Sequence, residues 1–458
     1  MFYKLKNDYQ LRGWQRLPYA MVDRSDGKII FLSKEAFSLL NRCTGLLDSE
    51  GILFTDADRK MLKLLHEKDL LDCFEQMTEP LADDQAYRYY DNRFIRLAHW
   101  AITGRCNYKC RHCYMSAPDA LFGEIPFEEC RKVIDSLEQC GIFNVSLTGG
   151  EALVHPDFWN IVDLLIEKRI RITSVYSNGF LIDERFFENC EKRGIKPQIS
   201  LSFDGCGGWH EWLRGGPEAF EHIKRAFRLC REHGFKTDAE MCLHKKNLPF
   251  LMESIHFLQD NGCTAVKINN LTCAGEGVAL RDLSFSTEEY FDVIKEFIPL
   301  CRKENISIPC TFSGITITKD KVVLGLCKHE DDCISMDRSV LCMSMRNNMY
   351  IHADGTVLPC LSFSNVEGYE KRYPNITETS LKKILNDSAY ITDICTTMDE
   401  YLDRNEECRN CEYKYRCASG CRGIAVKSFS GDGFLAKDEF SCAFYKTGLY
   451  DELKKQKT

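Results

Sequence analysis

The stretch LAHWAITGRCNYKCRHCY, residues 97–114, joins an apolar, strand-like run directly to three cysteines, Cys106, Cys110 and Cys113. Three and then two residues separate these thiols, so one short loop carries them all. Three thiolates are one fewer than the ligand set of tetrahedral zinc or of a fully ligated [4Fe-4S] cluster. The loop therefore predicts a metal centre with one position left open for another molecule.

The composition is that of a water-soluble protein with more than one domain. The chain has 458 residues, of which 44% are hydrophobic and 28% charged, and its net charge is -8. The negative charge gives no bulk attraction to nucleic acid or to an anionic membrane. No apolar run approaches the length of about 18 residues that a membrane span needs. We therefore expect a cytoplasmic protein with neither nucleic acid nor membrane as a partner.

The cysteine content points to metal rather than to disulfides. The chain has 25 cysteines, an odd number that cannot all pair within one molecule. Disulfides are rare in a reducing compartment, where clustered thiols more often bind metal. Six cysteines on presumptive helix faces are expected to be small buried hydrophobes instead: Cys43, Cys130, Cys140, Cys190, Cys230 and Cys301.

Residues 91–315 alternate between strand and helix patterns. Strand-like runs recur roughly every 30 residues, and helical stretches between them end at Gly141, Gly194, Gly234 and Gly262. This order is typical of βαβ units, and six in succession indicate a doubly wound sheet or a complete or partial barrel. Chemistry in both folds lies at the carboxyl ends of the strands. The predicted strands are 97–103, 144–148, 172–177, 198–203, 237–243 and 265–269.

The two flanking regions have different patterns. In residues 1–90, strand-like runs precede two amphipathic helices, one over 33–45 capped by Ser33 and closed by Gly45, the other over 55–72 capped by Thr55. This order is similar to a winged helix-turn-helix, and the lack of a basic helix favours peptide binding over DNA binding. Residues 316–458 hold closely spaced cysteines between short segments, a pattern that favours organisation by metal.

Residues 91–315 resemble the radical S-adenosylmethionine (SAM) superfamily. The resemblance rests on the cysteine loop with Tyr114 beside it, on the TGGE turn one strand later, and on the YSNG and SLSFDG strand ends. It implies a partial (β/α)6 barrel in which the three cysteines hold a catalytic [4Fe-4S] cluster whose free iron binds SAM. Glu151 would receive the amino group of SAM and Arg214 its carboxylate. The SAM contacts implied are Tyr114, Gly149, Gly150, Glu151, Ser177, Asn178, Ser202, Asp204, Arg214 and Ile268.

A second resemblance lies in residues 316–458, whose cysteine spacing is similar to that of the SPASM domain. It implies two auxiliary [4Fe-4S] clusters, hence three clusters in the chain. Cys408, Cys411, Cys417 and Cys442 would hold one, and Cys342, Cys360 and Cys421 the other. The fourth position of the latter would be filled by Cys333, which we favour, by Cys327, or by a substrate thiol at an open site. Taken alone, the Cys408 and Cys411 pair would also suit zinc.

Together these resemblances imply a maturase of ribosomally made peptides. The N-terminal region resembles PqqD-like elements, which bind the leader of a precursor peptide by β-strand addition. Thioether formation, as in sactipeptides and ranthipeptides, is the leading reaction, with electrons supplied by a flavodoxin or ferredoxin. Carbon–carbon crosslinking and epimerisation are alternatives. Formylglycine formation is disfavoured because Leu361 stands where sulfatase maturases carry an aspartate. A zinc-rich, non-catalytic peptide-binding scaffold is the alternative outside enzymes.

Overall fold

The computed structural model describes residues 1–25, 27–117, 121–325, 339–364, 366, 368–369, 371–428 and 433–455. The chain divides into two compact units. The first comprises Met1–Arg96, Ile134–Asn144 and Leu165–Arg171, and the second Leu97–Val133, Val145–Leu164 and Ile172–Thr458. Among the residues described, no helix has the length and apolar character needed to cross a bilayer.

The first unit contains two small sheets and two helices. One sheet has the strand order β5-β1-β6 and the other β4-β3-β2-β7. Leu5, Leu11, Leu39, Leu62 and Leu71 are buried together in its core. The elements are β1 Phe2–Leu5, β2 Tyr9–Trp14, β3 Leu17–Asp23, β4 Ile29–Phe31, α1 Lys34–Leu40, β5 Thr44–Asp48, α2 Asp56–Glu67, β6 Leu71–Phe74 and β7 Arg88–Tyr90.

Both helices begin where the sequence predicts and end sooner. The Ser33 hydroxyl accepts a hydrogen bond from the Ala36 backbone N–H, and Thr55 forms a capping box with Asp58. Helix α1 was predicted to reach Gly45 and α2 to reach residue 72, and both predictions were wrong. The residues that follow each helix form β5 and β6, which pair with β1 from either side. Strand pairing therefore outweighs the helical pattern there.

In the second unit, strands β8 to β13 lie side by side in chain order, as a partial barrel requires. The pairs β8–β9, β10–β11, β11–β12 and β12–β13 are parallel. All six predicted strands are confirmed to within two residues at either end. The elements are β8 Leu97–Ala101, α3 Phe127–Gln139, β9 Asn144–Thr148, α4 Phe158–Glu167, β10 Arg171–Ser177, α5 Glu184–Lys192, β11 Gln198–Ser202, α6 Trp209–Arg214, α7 Ala219–Glu232, β12 Thr237–Leu243, α8 Leu251–Asp260 and β13 Val266–Asn270.

The predicted glycine stops take the left-handed backbone conformation after their helices. Gly141 has φ 71° and Gly262 has φ 77°, values that suit glycine far better than other residues. These positions turn the chain from helix back towards the next parallel strand.

Strands that follow β13 in the chain extend the barrel sheet at both edges, which the sequence pattern did not predict. Strand β14 pairs in parallel with β13, and β17 pairs in parallel with β8. The elements are α9 Thr287–Lys303, β14 Cys310–Phe312, β15 Ile315–Ile317, β16 Val322–Leu324, α10 Met343–Asn347, β17 Asn348–Ile351, β18 Val357–Leu358, α11 Leu381–Ile384, α12 Ala389–Cys395, α13 Met398–Arg404, α14 Glu406–Arg409, α15 Lys414–Cys417, α16 Arg422–Ser428, α17 Glu439–Lys446 and α18 Leu449–Lys454.

Candidate active site

A cavity of about 410 Å³ opens within the second unit. The barrel strands and the segment after β17 both contribute to its wall, because β17 lies beside β8. The residues predicted from sequence that line it are Cys106, Cys110, Cys113, Tyr114, Gly149, Gly150, Glu151, Ser177, Asn178, Ser202, Arg214 and Cys360.

The three cysteines of the loop are free thiols turned towards this cavity. Cys106 Sγ accepts a hydrogen bond from the Tyr108 backbone N–H at 3.4 Å, and Cys113 Sγ accepts one from Ala117 at 3.3 Å. Burial raises the pKa of the Cys106 thiol to about 12. A thiol with a raised pKa loses its proton near neutral pH only when a metal cation binds the sulfur in place of that proton.

Glycines let the backbone of neighbouring segments approach the cysteine loop closely. A Cβ on Gly150 would lie 2.3 Å from the Arg105 carbonyl oxygen, and one on Gly275 would lie 2.4 Å from the Cys113 carbonyl oxygen. A Cβ on Gly215 would lie 2.4 Å from the Lys109 carbonyl oxygen. Only Gly150 of these three was singled out from sequence, because tertiary contact alone reveals the need for the others.

Glu151 is a buried carboxylate at the end of β9. Its side chain is 1% exposed and accepts hydrogen bonds from the Asn178 N–H at 2.7 Å and the Leu153 N–H at 3.3 Å. Burial raises the pKa of Glu151 to about 7, although these hydrogen bonds oppose the rise. The carboxylate is therefore prepared to receive a cationic group within the cavity.

Arg214 is held by an ion pair with the fully buried Asp204. Its Nε donates to Asp204 Oδ2 at 2.5 Å, while its Nη1 lies 3.9 Å from Cys110 Sγ. Asp204 Oδ1 also accepts the Cys242 N–H at 2.9 Å. Burial alone would raise the pKa of Asp204, but the charge of Arg214, with His112 and His210, lowers it to about 2. Asp204 thus fixes the guanidinium that lines the cavity.

Two of the predicted SAM contacts lie outside the cavity lining. Asp204 is fully buried behind Arg214, and Ile268 is fully buried in β13, whose Lys267 does line the cavity. Sequence reasoning missed His99, Tyr176, Glu240 and Tyr350, which also face the cavity. Strand alternation could have found Tyr176, which precedes the predicted Asn178 by two residues. The other three lie on β8, β12 and β17, which carry no residue predicted from sequence to be in the site.

A second pocket gathers four C-terminal cysteines. Cys408, Cys411, Cys417 and Cys442 all line it, and Tyr401 Oη lies 3.3 Å from Cys408 Sγ. This is the set that the sequence resemblance implied for one auxiliary cluster. Four cysteine thiols in one pocket are a donor set that fits a [4Fe-4S] cluster.

The other C-terminal thiols lie near one another as well. The charges of Cys421 and Cys342 both act on Cys360, whose pKa is raised to about 11, mainly by burial. The Cys360 thiol accepts a hydrogen bond from the Ser362 N–H at 3.3 Å. Cys327 and Cys333, proposed for the fourth position, lie outside the described residues.

The proposed ligands differ in burial from the six cysteines expected to act as small hydrophobes. Every proposed ligand that the structure describes is half-buried. The six cysteines expected to act as small hydrophobes are all buried, which confirms that prediction: Cys43, Cys130, Cys140, Cys190, Cys230 and Cys301.

The structure is a partial barrel whose cavity is lined by a loop with three thiols and by a carboxylate that follows two glycines. Comparison with protein families agrees: residues 100–258 match the Radical SAM superfamily, and residues 342–412 match the SPASM iron-sulfur cluster-binding domain. The chain therefore carries a radical SAM domain and a SPASM domain. These two domains imply [4Fe-4S] clusters and SAM, and the donor sets above fit both.

Individual relatives are distant. The chain is 24% identical to AdoMet-dependent heme synthase of Oleidesulfovibrio alaskensis over 366 residues, 76% of this chain and 87% of the relative. It is 27% identical to the antilisterial bacteriocin subtilosin biosynthesis protein AlbA of Bacillus subtilis over 285 residues, 58% and 62% of the two chains.

Solved structures show a similar fold. Streptococcus suis SuiB bound to precursor peptide SuiA has a TM-score of 0.66 at 14% identity, with 96% of this chain and 100% of that chain covered. SuiB bound to S-adenosylmethionine has a TM-score of 0.62 at 16% identity, with 96% and 99% covered.

Proposed function

We propose that this radical SAM/SPASM enzyme modifies a ribosomally made precursor peptide, forming thioether crosslinks between a cysteine sulfur and a carbon atom. The observation that carries the proposal is the shared cavity. It brings the Cys106–Cys113 loop and Glu151 together with Cys360 of the SPASM domain. A substrate held there would meet both the site of hydrogen abstraction and a route for the electron that oxidation releases.

The residues around the loop would hold SAM. Glu151 would bind its amino group, and Arg214, fixed by Asp204, would bind its carboxylate. Ser202 and Asn178 line the same wall and would make the remaining polar contacts. When bound, SAM and its cluster supply a 5'-deoxyadenosyl radical that abstracts hydrogen from a C–H bond. The protein would orient the target carbon and exclude water.

The SPASM thiols would hold two auxiliary clusters, for a total of three. Thioether formation removes two hydrogen atoms from the peptide: one leaves as an atom, the other as a proton and an electron. The auxiliary clusters would accept that electron. For the cluster of Cys342, Cys360 and Cys421 we retain Cys333 as the preferred fourth ligand, with Cys327 or a substrate thiol as alternatives.

The first unit would bind the leader of the precursor. Its sheets end in the edge strands β5 and β6, and β4 and β7, and an unpaired edge can accept an extended peptide as an added strand. The names of two similar proteins support a peptide substrate, since AlbA serves bacteriocin biosynthesis and SuiB binds SuiA. We expect the enzyme in the cytoplasm, with a flavodoxin or ferredoxin as electron donor.

The alternatives remain open to test. Leu361, which lines the cavity and is 42% exposed, offers no carboxylate for formylglycine formation. Carbon–carbon crosslinking and epimerisation use the same hydrogen abstraction. Similarity to heme synthases over three quarters of the chain makes a porphyrin a second candidate substrate.

The test is anaerobic incubation of the reconstituted enzyme, SAM and a reductant with a candidate precursor peptide that contains cysteine. Thioether formation predicts the loss of two hydrogen atoms per crosslink and a thiol that no longer reacts with iodoacetamide. Carbon–carbon crosslinking predicts the same mass loss with the thiol still reactive, and epimerisation in D2O predicts deuterium uptake instead. Conversion of an iron porphyrin with no change in the peptide would overturn the proposal.

A further inference from the structure

The cluster loop carries two exposed cations on either side of one of its ligands. Lys109 and Arg111 flank Cys110 and are both exposed. The Arg111 backbone N–H donates to the Leu213 carbonyl at 2.8 Å, and its Nε donates to the Trp212 carbonyl at 2.9 Å. Helix α6 is therefore fastened to the loop directly beside a cluster ligand.

Helix α6 and the turn after β12 complete a compact surface. The Arg111 guanidinium lies 5.2 Å from the Trp212 ring centroid, and Lys246 Nζ lies 5.1 Å from Trp212 and 5.7 Å from Trp209. The two indole rings are 5.7 Å apart and half-buried. We call Lys109, Arg111, Trp209, Trp212 and Lys246 the cationic tryptophan patch.

Within the part of the chain that the structure describes, the cations of this patch form no ion pair. Elsewhere nearby, Lys245 pairs with Glu289 and Arg214 with Asp204. Within the described residues, by contrast, Lys109, Arg111 and Lys246 have no carboxylate within salt-bridge distance. An otherwise acidic chain thus presents cations around two tryptophans. Trp and Arg are enriched at the centres of protein interfaces, whereas Lys is not, so the two lysines contribute charge.

We propose that the cationic tryptophan patch is the docking surface for an acidic protein that donates single electrons to the cluster of the Cys106–Cys113 loop. Unpaired cations attract an acidic protein and orient it, and the tryptophans supply the apolar contact. The electron would pass from the reduced donor to the oxidised cluster beside Cys110, leaving the donor oxidised by one electron. The proposal rests on the cluster and not on the identity of the peptide substrate.

The experiment uses flavodoxin hydroquinone as donor and the reconstituted enzyme as acceptor, with cluster bleaching followed by stopped flow. Charge reversal in Arg111→Glu and Lys246→Glu is expected to lower the second-order rate by about 10-fold or more at low ionic strength. Salt should slow the wild type more than the variants. Calorimetric titration with oxidised flavodoxin, in which no electron is transferred, should rank the wild type and the variants by affinity in the same order.

Three controls make the result decisive. Lys303→Glu changes the same charge at an exposed position at the far end of α9, a helix of 17 residues that begins beside Lys245, and should leave the rate unchanged. Photoreduced deazaflavin, a small neutral reductant, should reduce every variant equally, and the iron content should match the wild type.

The proposal would be overturned if flavodoxin reduced Arg111→Glu and Lys246→Glu at rates within twofold of its rate with Lys303→Glu. A loss of precursor-peptide or nucleic acid binding with donor binding intact would also overturn it. Neither readout depends on turnover of a substrate, so failure of the peptide-modifying function would be seen separately.

Discussion

Replacement of Asp204 by asparagine tests the ion pair that holds Arg214 against the cavity. The Asp204 side chain is fully buried and that of Arg214 is 12% exposed. Asparagine keeps an oxygen for the Cys242 N–H but turns an amide N–H towards Arg214 Nε, where two donors face each other. The substitution therefore leaves a buried cation without its counter-charge while changing the shape of the site little.

The loss of folding stability in Asp204→Asn has a lower and an upper bound. The fall in the pKa of Asp204 from 3.8 to about 2 corresponds to about 2 kcal/mol in favour of the ionised form, burial included. Because this folded-state pKa is depressed, the contribution is present above about pH 4 and is lost as the pH falls through about 2. Breaking a buried pair typically costs about 3–5 kcal/mol, since the remaining charge stays buried. We expect Asp204→Asn to lower the free energy of unfolding by about 2–5 kcal/mol.

The same substitution should also weaken SAM binding. A misplaced guanidinium loses charge-assisted hydrogen bonds worth about 1.5–3 kcal/mol, so the Kd for SAM should rise about 10- to 150-fold. SAM titration into the reduced enzyme, followed by the change in the cluster's paramagnetic resonance spectrum, measures this Kd. Thermal unfolding of the same sample reports stability.

Asp238→Asn is the matched control, because burial raises the pKa of Asp238 and the neutral amide should cost little there. A folded Asp204→Asn variant that binds SAM within twofold of the wild type would refute the role assigned to Asp204.

Three further outcomes are expected. Because the pKa of Glu151 is about 7, its protonation should weaken SAM binding as the pH falls from 8 to 6. Glu151→Gln should bind SAM weakly at both pH values. A pH dependence in this variant equal to that of the wild type would contradict the role assigned to Glu151. Gly275→Ala should lower the iron content, because its Cβ would collide with the Cys113 carbonyl oxygen. Gly194→Ala should not, because Gly194 also has a positive φ but has no atom near the position of the added Cβ. Equal iron contents in the two variants would contradict the steric argument. Cys417→Ala should lose about 4 iron atoms per chain and the buried Cys190→Ala none, as measured by iron and sulfide analysis.

The sequence by itself determined the local features of this protein. Strand positions follow from apolar runs, and glycine stops follow from backbone freedom, so both depend on a few neighbouring residues. The ligand spacing of Cys106, Cys110 and Cys113 is local in the same sense. A short loop forces its thiols into proximity whatever the rest of the chain does, which is why this part of the candidate site could be predicted.

The ends of α1 and α2 show where such reasoning stops. The helical pattern continues past Leu40 and Glu67, yet the chain that follows forms strands because β1 offers it hydrogen-bond partners from forty or more residues earlier. Pairing at that separation leaves no periodic signal within a window of sequence, so only the folded chain reveals it.

Tertiary structure alone decided the composition of the cavity. Strand β17 lies beside β8 although some 250 residues separate them, and this places Cys360 and Tyr350 on the wall that carries Glu151. The same is true of Asp204 and Arg214, whose motif was visible in sequence but whose buried ion pair was not. Burial raises the pKa values of Cys106 and Glu151, and burial is a property of the whole assembly of strands rather than of any one segment.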